Sequence, residues 1–127
     1  MDSGISISEY VNKILKSDEG INIFVGEQVY PLIANQNTVY PFIIHMRDRI
    51  DTLYSKDGII GDDVYFTVIV RTKTYGEGIK IAEIVRKIFG NRHDSIYQEV
   101  RLTSSSERYN EADDSFTQEL GFVAKNY

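Results

Sequence analysis

The chain has 127 residues, no cysteine and a formal net charge of −5, and 42% of its residues are apolar. This length and composition predict a single globular domain over residues 1–127. The missing cysteines exclude disulfides, thiolate metal sites and a cysteine nucleophile, and the acidic balance argues against a broad nucleic-acid-binding surface.

Two targeting features are not expected. The start, Met1–Gly4, has no basic region followed by an apolar stretch, so no secretory signal is predicted. The longest apolar runs are only a few residues, far below the roughly 20 that a membrane-spanning helix needs. A membrane is therefore not among the predicted partners.

The first predicted element is a helix that begins after Ser6. Ser6 and Glu9 have the spacing of a capping box. An apolar stripe follows at helical spacing and consists of Ile7, Tyr10, Val11, Ile14 and Leu15. Residues 21–26 then predict a helical turn closed by Gly26. Val29–Pro31 predict a brief extended segment, because the residue before a proline avoids helical angles.

Apolar alternation predicts four strands, over Val39–Arg47, Val64–Thr72, Ile96–Thr103 and Phe116–Lys125. A helical period from about Gly76 to Phe89 separates the second strand from the third, and Gly90 is expected in a left-handed conformation. The polar stretch Asp51–Asp63 is predicted as a long connection or as two short strand ends and a tip. The polar stretch Ser104–Asp114 is predicted as a hairpin connection or a mobile tip. The order helix, strand, strand, helix, strand, strand predicts an α+β fold. Its four-stranded, mainly antiparallel sheet would have both helices on one face.

The sheet face opposite the helices is the candidate interface. In the first strand, Phe42 and Ile44 are predicted to face the helices, and Ile43 and His45 to face outward. The outward apolar residues are Ile43, Tyr65, Ile69, Tyr97 and Val123, to which Tyr54, Ile59 and Ile60 of the Asp51–Asp63 stretch are added. Such a patch, rimmed by charge, is typical of an interaction surface. The alternative is a partly hydrated face whose scattered apolar residues need no partner.

No motif predicts catalysis, a metal or a cofactor. His45 and His93 have no second ligand at metal-binding spacing, and neighbouring residues such as His93 and Asp94 seldom form a base and its orienting group. The acidic clusters Asp62–Asp63 and Glu111–Asp114 lack the spacing of a calcium loop. Gly76–Gly78 lacks the rest of a phosphate-binding motif, and Ser104–Ser106 has no neighbouring base. The chain is therefore expected not to be an enzyme.

The order of several short motifs resembles a known family. Phe24–Gly26 precedes Gln28–Pro31, which is followed by Val39–Ile44, and later Thr74–Gly78 leads into the second long helix. This order is similar to that of the tail-completion proteins of long-tailed phages and prophages, also called tail terminators or head–tail joining proteins. The resemblance covers about Ser6 to Val123, and the chain departs from the family in the two polar stretches.

The resemblance implies a structural subunit that forms a ring, commonly a hexamer, which caps the tail tube. Its expected partners are further copies of itself and the tail-tube and head-completion proteins. DNA would pass through the ring without sequence-specific binding. The expected location is the virion tail, after assembly in the host bacterial cytoplasm.

Two other functions remain open at the level of the sequence. The first is a monomeric module that binds a protein or peptide with the outer sheet face around Tyr65, Ile69 and Tyr97. The second is a small hydrolase built on acidic residues, which would need a cleft where carboxylates or histidines converge.

Overall fold

The computed structural model describes residues 4–127, and Met1–Ser3, on which the expectation about a secretory signal partly rests, lie outside these residues. After a 3-10 turn over Gly4–Ser6, the helices are α1 (Ile7–Ser17), α2 (Glu19–Val25) and α3 (Tyr75–Phe89). The strands are β1 (Val29–Pro31), β2 (Phe42–Ser55), β3 (Gly58–Thr72), β4 (Asn91–Arg92), β5 (Glu99–Asn110) and β6 (Ser115–Asn126). Within the described residues, no helix has the length and apolar character needed to cross a membrane.

The strands form one six-stranded sheet in the order β1-β2-β3-β6-β5-β4. β1 is parallel to β2, and every other neighbouring pair is antiparallel. The predicted four-stranded, mainly antiparallel sheet with two helices is therefore wrong. The missed strands β1 and β4 have three and two residues, which is too short for alternation to be recognised in a sequence.

The stretch Asp51–Asp63 consists of two strand ends and a tip, which is the second of its two predicted forms, and most of Ser104–Asp114 is strand, which was not predicted. β2 runs to Ser55 and β3 begins at Gly58, so only Lys56 and Asp57 form the turn between them. β5 runs to Asn110, and residues 111–114 form the turn to β6. Both hairpins are longer than predicted, because the outer part of an antiparallel ribbon is held by backbone hydrogen bonds and does not require apolar side chains.

Helix α1 forms as its apolar stripe predicts, since Ile7, Val11 and Leu15 are buried. The predicted capping box is not formed, because the Ser6 side chain makes no capping hydrogen bond. Gly26 ends α2 with a positive φ of 60°, as a residue without Cβ allows. Gly90 follows α3 at φ −66°, in the right-handed region and not the left-handed one predicted for it.

A single hydrophobic core lies between the helices and one face of the sheet. Phe66 of β3 stacks on Phe122 of β6 at 5.2 Å between ring centroids, and Phe89 of α3 meets Phe66 edge-on at 5.5 Å. Val64, Val68 and Val70 face the same way as Phe66 and are fully buried. The predicted alternation of β3 thus identifies its core side correctly.

The facing predicted for β2 is reversed. In the pairing with β3, Ile43 lies opposite Val70 and His45 opposite Val68, so both side chains face the helices and are buried. Phe42 and Ile44 lie on the outer face instead. The error has a physical cause: three consecutive apolar residues, Phe42–Ile44, show no period of two, so the sequence does not determine which side faces the core.

Candidate assembly surface

The β2–β3 hairpin continues past the rest of the sheet. The last pair between β3 and β6 is Asp62 with Asn126, so residues 53–61 form a two-stranded extension, called here the hairpin arm. Three large apolar side chains on the arm are exposed, with relative accessibilities of 69% for Tyr54, 69% for Ile59 and 53% for Ile60. Exposed apolar side chains grouped on a projecting element are typical of a contact site for another protein.

A cleft of about 740 Å³ lies between the base of the arm and the N-terminal turn. Ile5 and Ile50 line it together with Tyr54, Ile59 and Ile60 of the arm. Asp62 holds the two walls of this cleft together, because its carboxylate accepts hydrogen bonds from the Gly4 amide at 3.2 Å and the Thr52 hydroxyl at 2.9 Å. Asp62, which belongs to an acidic cluster without calcium-loop spacing, thus joins the N-terminal turn to the hairpin.

The eight predicted interface residues fall into three groups. Ile43 and Tyr97 lie in the core, and their predicted place on the outer face is wrong. Tyr97 packs against Tyr10 of α1 at 4.7 Å between ring centroids. The remaining six are Tyr65, Ile69 and Val123 on the outer face and Tyr54, Ile59 and Ile60 on the arm. The structure does not test whether any of them contacts a partner, so the interface itself stays a prediction.

The outer face around Tyr65 is more enclosed than the sequence suggests. The Arg49 guanidinium lies over the Tyr65 ring at 3.9 Å from its centroid. Val123, opposite Tyr65 in the pairing of β3 and β6, is only 3% exposed. Because neighbouring side chains already cover much of this patch, the arm offers more apolar surface to a partner than the middle of the outer face does.

A polar cluster joins the segment after α3 to helix α1. The Tyr10 hydroxyl donates to the Asp94 carboxylate, and Arg92 Nε donates to Asp94 at 3.1 Å and to the Tyr10 oxygen at 3.0 Å. Burial is the largest factor that raises the pKa of Tyr10, and the hydrogen bond to Asp94 raises it further. Burial also tends to raise the pKa of Asp94, but hydrogen bonds from Tyr10, two backbone amides and Arg92 together lower it. These hydrogen bonds hold helix α1 against the segment after α3, and the cluster formed by Tyr10, Arg92 and Asp94 is called here the structural lock.

His93 does not form a catalytic pair with Asp94. Its Nδ1 lies 2.8 Å from the carbonyl oxygen of Gln98, while the Asp94 carboxylate is held by Tyr10, Arg92 and the amides of Ile96 and Tyr97. Within residues 4–127, no three histidine or acidic side chains are grouped closely enough to hold a metal ion.

The turn between β5 and β6 is attached to strand β3 and to the segment before β2, which the sequence did not reveal. The Asp113 carboxylate accepts hydrogen bonds from the Tyr40 and Ser115 hydroxyls, and Arg71 lies 3.5 Å from it. These hydrogen bonds, that of Ser115 first, lower the pKa of Asp113. The acidic stretch Glu111–Asp114 is therefore held by side chains of the chain itself, and Tyr40 and Arg71 are separated from it by many residues in sequence.

No protein-family model matches the chain, and no curated protein matches it in sequence. Among solved structures, the chain is similar to a protein chain in the virion of a native gene transfer agent particle. The two share 17% sequence identity, the similarity covers 91% of this chain and 90% of the other, and the TM-score is 0.69. At this identity, the similarity establishes that the two chains share a fold.

Proposed function

We propose that this chain is a structural protein of a phage-like virion and, more narrowly, a tail-completion protein that forms a ring at the end of the tail tube. The observation that carries the proposal is the shared fold, which covers 91% of this chain and 90% of a chain from a gene transfer agent virion. The ordered motifs at Phe24–Gly26, Gln28–Pro31 and Val39–Ile44 support the narrower assignment.

The surface of the subunit also supports assembly. A ring of identical copies requires two different patches on each subunit, one of which meets the other patch on the next copy. The hairpin arm is one such patch, since Tyr54, Ile59 and Ile60 expose apolar area away from the core. The alternative of a monomeric binding module is weakened, because one of its three proposed contact residues, Tyr97, lies in the core.

The proposed function is structural, so it involves no enzymatic activity and no cofactor. Its partners would be other copies of itself, the tail-tube protein and head-completion proteins, and it would lie in the virion tail after assembly in the host bacterial cytoplasm. A net charge of −5 suits a conduit through which DNA must pass, since an acidic surface does not retain the phosphate backbone.

The proposal is tested by the mass and shape of the purified protein, alone and mixed with the tail-tube protein of the same phage or prophage. Native mass spectrometry should detect a closed oligomer, and negative-stain electron microscopy should show rings with a central opening, free or at the end of tubes. A protein that stays monomeric at high concentration in both conditions would overturn the proposal.

A further inference from the structure

One edge of strand β2 has no neighbouring strand over most of its length. β1 pairs only with Ile43–His45, so within residues 4–127 no strand pairs with that edge of β2 from Met46 to Ser55. Between irregularities at Arg47/Arg49 and Leu53/Tyr54, the segment Arg49–Leu53 pairs regularly with β3 on its other side. Its outward backbone groups therefore form an ordered template to which another strand can add.

Strand β5 has a similar open edge at the opposite side of the sheet. β4 pairs only with Val100 and Arg101, and beyond the irregularity at Leu102/Ser104 the segment Ser104–Asn110 pairs regularly with β6. Within the described part of the chain, no strand lies on its other side. The segment contains no proline and no lysine, two residues with which proteins commonly protect an exposed strand edge.

The directions of the two edges suit each other. β2, β3, β6 and β5 are consecutive neighbours and each pair is antiparallel, so β2 and β5 run in opposite directions. A second copy placed beside β5 in the same orientation would therefore bring its β2 antiparallel to β5 and continue the alternation. Because the two edges are different surfaces, the contact can repeat from copy to copy and close into a ring.

We propose that copies of this chain join by strand addition, with Arg49–Leu53 of one copy pairing antiparallel to Ser104–Asn110 of the next. This inference rests on the proposed ring and names the contact that closes it. The backbone hydrogen bonds supply affinity, and the side chains beside them select the register.

The side chains favour one register. Asp51, opposite Asp63 in β3, and Arg108, opposite Thr117 in β6, both lie on the face away from the helices. Placing Asp51 opposite Arg108 of the next copy pairs opposite charges, whereas a shift of two residues would place Arg49 there and oppose like charges. The same register places Ile50 opposite Tyr109 on the helix side, which brings two apolar side chains together.

The charges near the contact form an alternating row in this register. Within one copy, Arg49 already pairs with Asp51 at 3.3 Å, and Arg108 pairs with Glu119 at 3.0 Å. Bringing Asp51 beside Arg108 of the next copy joins the two exposed pairs into one network of four charges. Networks of this kind contribute more than isolated surface pairs.

The proposed register also sets the tilt of the strands. Within one copy, Asp51 pairs with Asp63, Asp63 with Lys125, and Lys125 with Glu99. Asp51 and Glu99 therefore lie at the same height along the strands. Pairing with Arg108 therefore displaces each copy along the strands, from the level of Glu99 to that of Arg108. A ring with this displacement requires strands that run obliquely to its axis.

The absence of cysteine makes cross-linking a direct test. A protein with both Asp51→Cys and Arg108→Cys should give, under mild oxidation, a reducible ladder of covalent oligomers that ends at the ring size. Each single variant should stay monomeric on a non-reducing gel, and a mixture of the two should stop at dimers. Opposite residues in antiparallel strands have Cα atoms about 4.5–5.5 Å apart, which lies within the distance that a disulfide bond can span.

A matched control pairs Arg108→Cys with Lys87→Cys on the exposed side of α3, and it should give no ladder. The same test is made with Arg49→Cys or Leu53→Cys in place of Asp51→Cys. If electron microscopy shows rings but none of these three variants forms a ladder with Arg108→Cys, the strand-addition contact is overturned and the proposed function is left intact. The absence of rings would instead contradict the proposed function itself.

Charge reversal provides a second, independent readout. Asp51→Arg and Arg108→Asp should each weaken assembly by roughly fivefold, from the usual strength of cross-strand charge pairs. The double reversal should restore most of the loss. Circular dichroism is used to check that each variant is folded. Single reversals that leave assembly unchanged, or a double reversal that only adds the two losses, would overturn the register with Asp51 opposite Arg108.

Discussion

His45 and Asn12 join strand β2 to helix α1 through a contact of 2.9 Å between the imidazole Nε2 and the amide Oδ1. Because an amide oxygen only accepts hydrogen bonds, Nε2 is the donor. The His45 side chain is 1% exposed and lies in the row of core residues between the sheet and the helices. Burial lowers the pKa of His45 to about 4, and the positive charge of Lys16 contributes to the same effect.

This pKa predicts that acid destabilises the subunit at moderate pH. An imidazole in the unfolded chain takes up a proton near pH 6.5, whereas His45 in the folded chain does so only near pH 4. The unfolded state therefore binds more protons between these values, so stability falls as the pH falls from about 6.5 to 4. The loss attributable to His45 should reach about 3 kcal/mol, measured by urea denaturation at several pH values.

The control for this prediction is His45→Gln, which keeps a hydrogen-bonding group and cannot take up a proton. Its free energy of unfolding should depend less steeply on pH over the same range. Equal slopes for the natural protein and the variant would show that another group causes the acid effect.

Charges introduced on the hairpin arm should prevent assembly without unfolding the subunit. Ile59→Asp and Ile60→Asp change exposed side chains, so the free energy of unfolding should change by no more than about 0.5 kcal/mol. Placing a carboxylate in an apolar contact should weaken ring formation by roughly tenfold or more. Analytical ultracentrifugation over a concentration series measures both the mass and the dissociation constant.

The matched control is Ile23→Asp on α2, where the side chain is 81% exposed and far from the arm in the sequence. We expect this variant to assemble like the natural protein. Equal weakening by Ile23→Asp and Ile59→Asp would mean that general acidity, and not contact by the arm, reduces assembly.

Gly61 should not tolerate a side chain at the base of the arm. A Cβ there would lie 2.6 Å from the carbonyl oxygen of Asn126 and 2.5 Å from the Tyr127 ring. Because backbone lies on one side, Gly61→Ala should cost about 1–3 kcal/mol, as overpacking commonly does. Thermal denaturation measures the loss, and Gly76→Ala serves as the control because a Cβ at Gly76 meets nothing within 4 Å. Equal stability of the two variants would contradict the close approach.

The lock between Tyr10 and Asp94 should contribute measurable stability. Tyr10→Phe removes hydrogen bonds to the carboxylate and to Arg92 and should cost about 1 kcal/mol. Combined with Asp94→Asn, its effect should be less than additive, because the two groups share one interaction. Chemical denaturation of the single and double variants measures this coupling. Tyr75→Phe, which removes an exposed hydroxyl bonded to Glu107, should leave stability unchanged, and strict additivity at Tyr10 would contradict the lock.

The accuracy of the sequence-based predictions follows the amount of apolar periodicity. Helix α1 and strand β3 bury one regular side, seen in Ile7 and Val11 and in Val64 and Phe66, and both were predicted with the correct core side. β2 was assigned the wrong side because Phe42–Ile44 is apolar without alternation. The serine-rich part of β5 was predicted as a connection, since its strand geometry depends on pairing with β6 and not on its own residues.

For the candidate assembly surface too, the sequence predicted some features, and others depend on strand pairing. The sequence identified Tyr54, Ile59 and Ile60 as contact candidates from their apolar character within a polar stretch. It could not place them on a projecting arm, because the length of the arm depends on where β6 ends at Asn126. Tyr97 was assigned to the outer face because the chain before β5 was treated as strand, whereas it turns inward to meet Tyr10.

The sequence alone determined the elements whose side chains bury one face, the absence of thiol chemistry and the motif order that resembles tail-completion proteins. Only the tertiary structure decided the six-strand order, the side of β2 that faces the core, and the two open strand edges at opposite sides of the sheet. The physical reason is that burial leaves a local periodic pattern in the chain, whereas strand pairing joins backbone groups that all residues except proline carry alike.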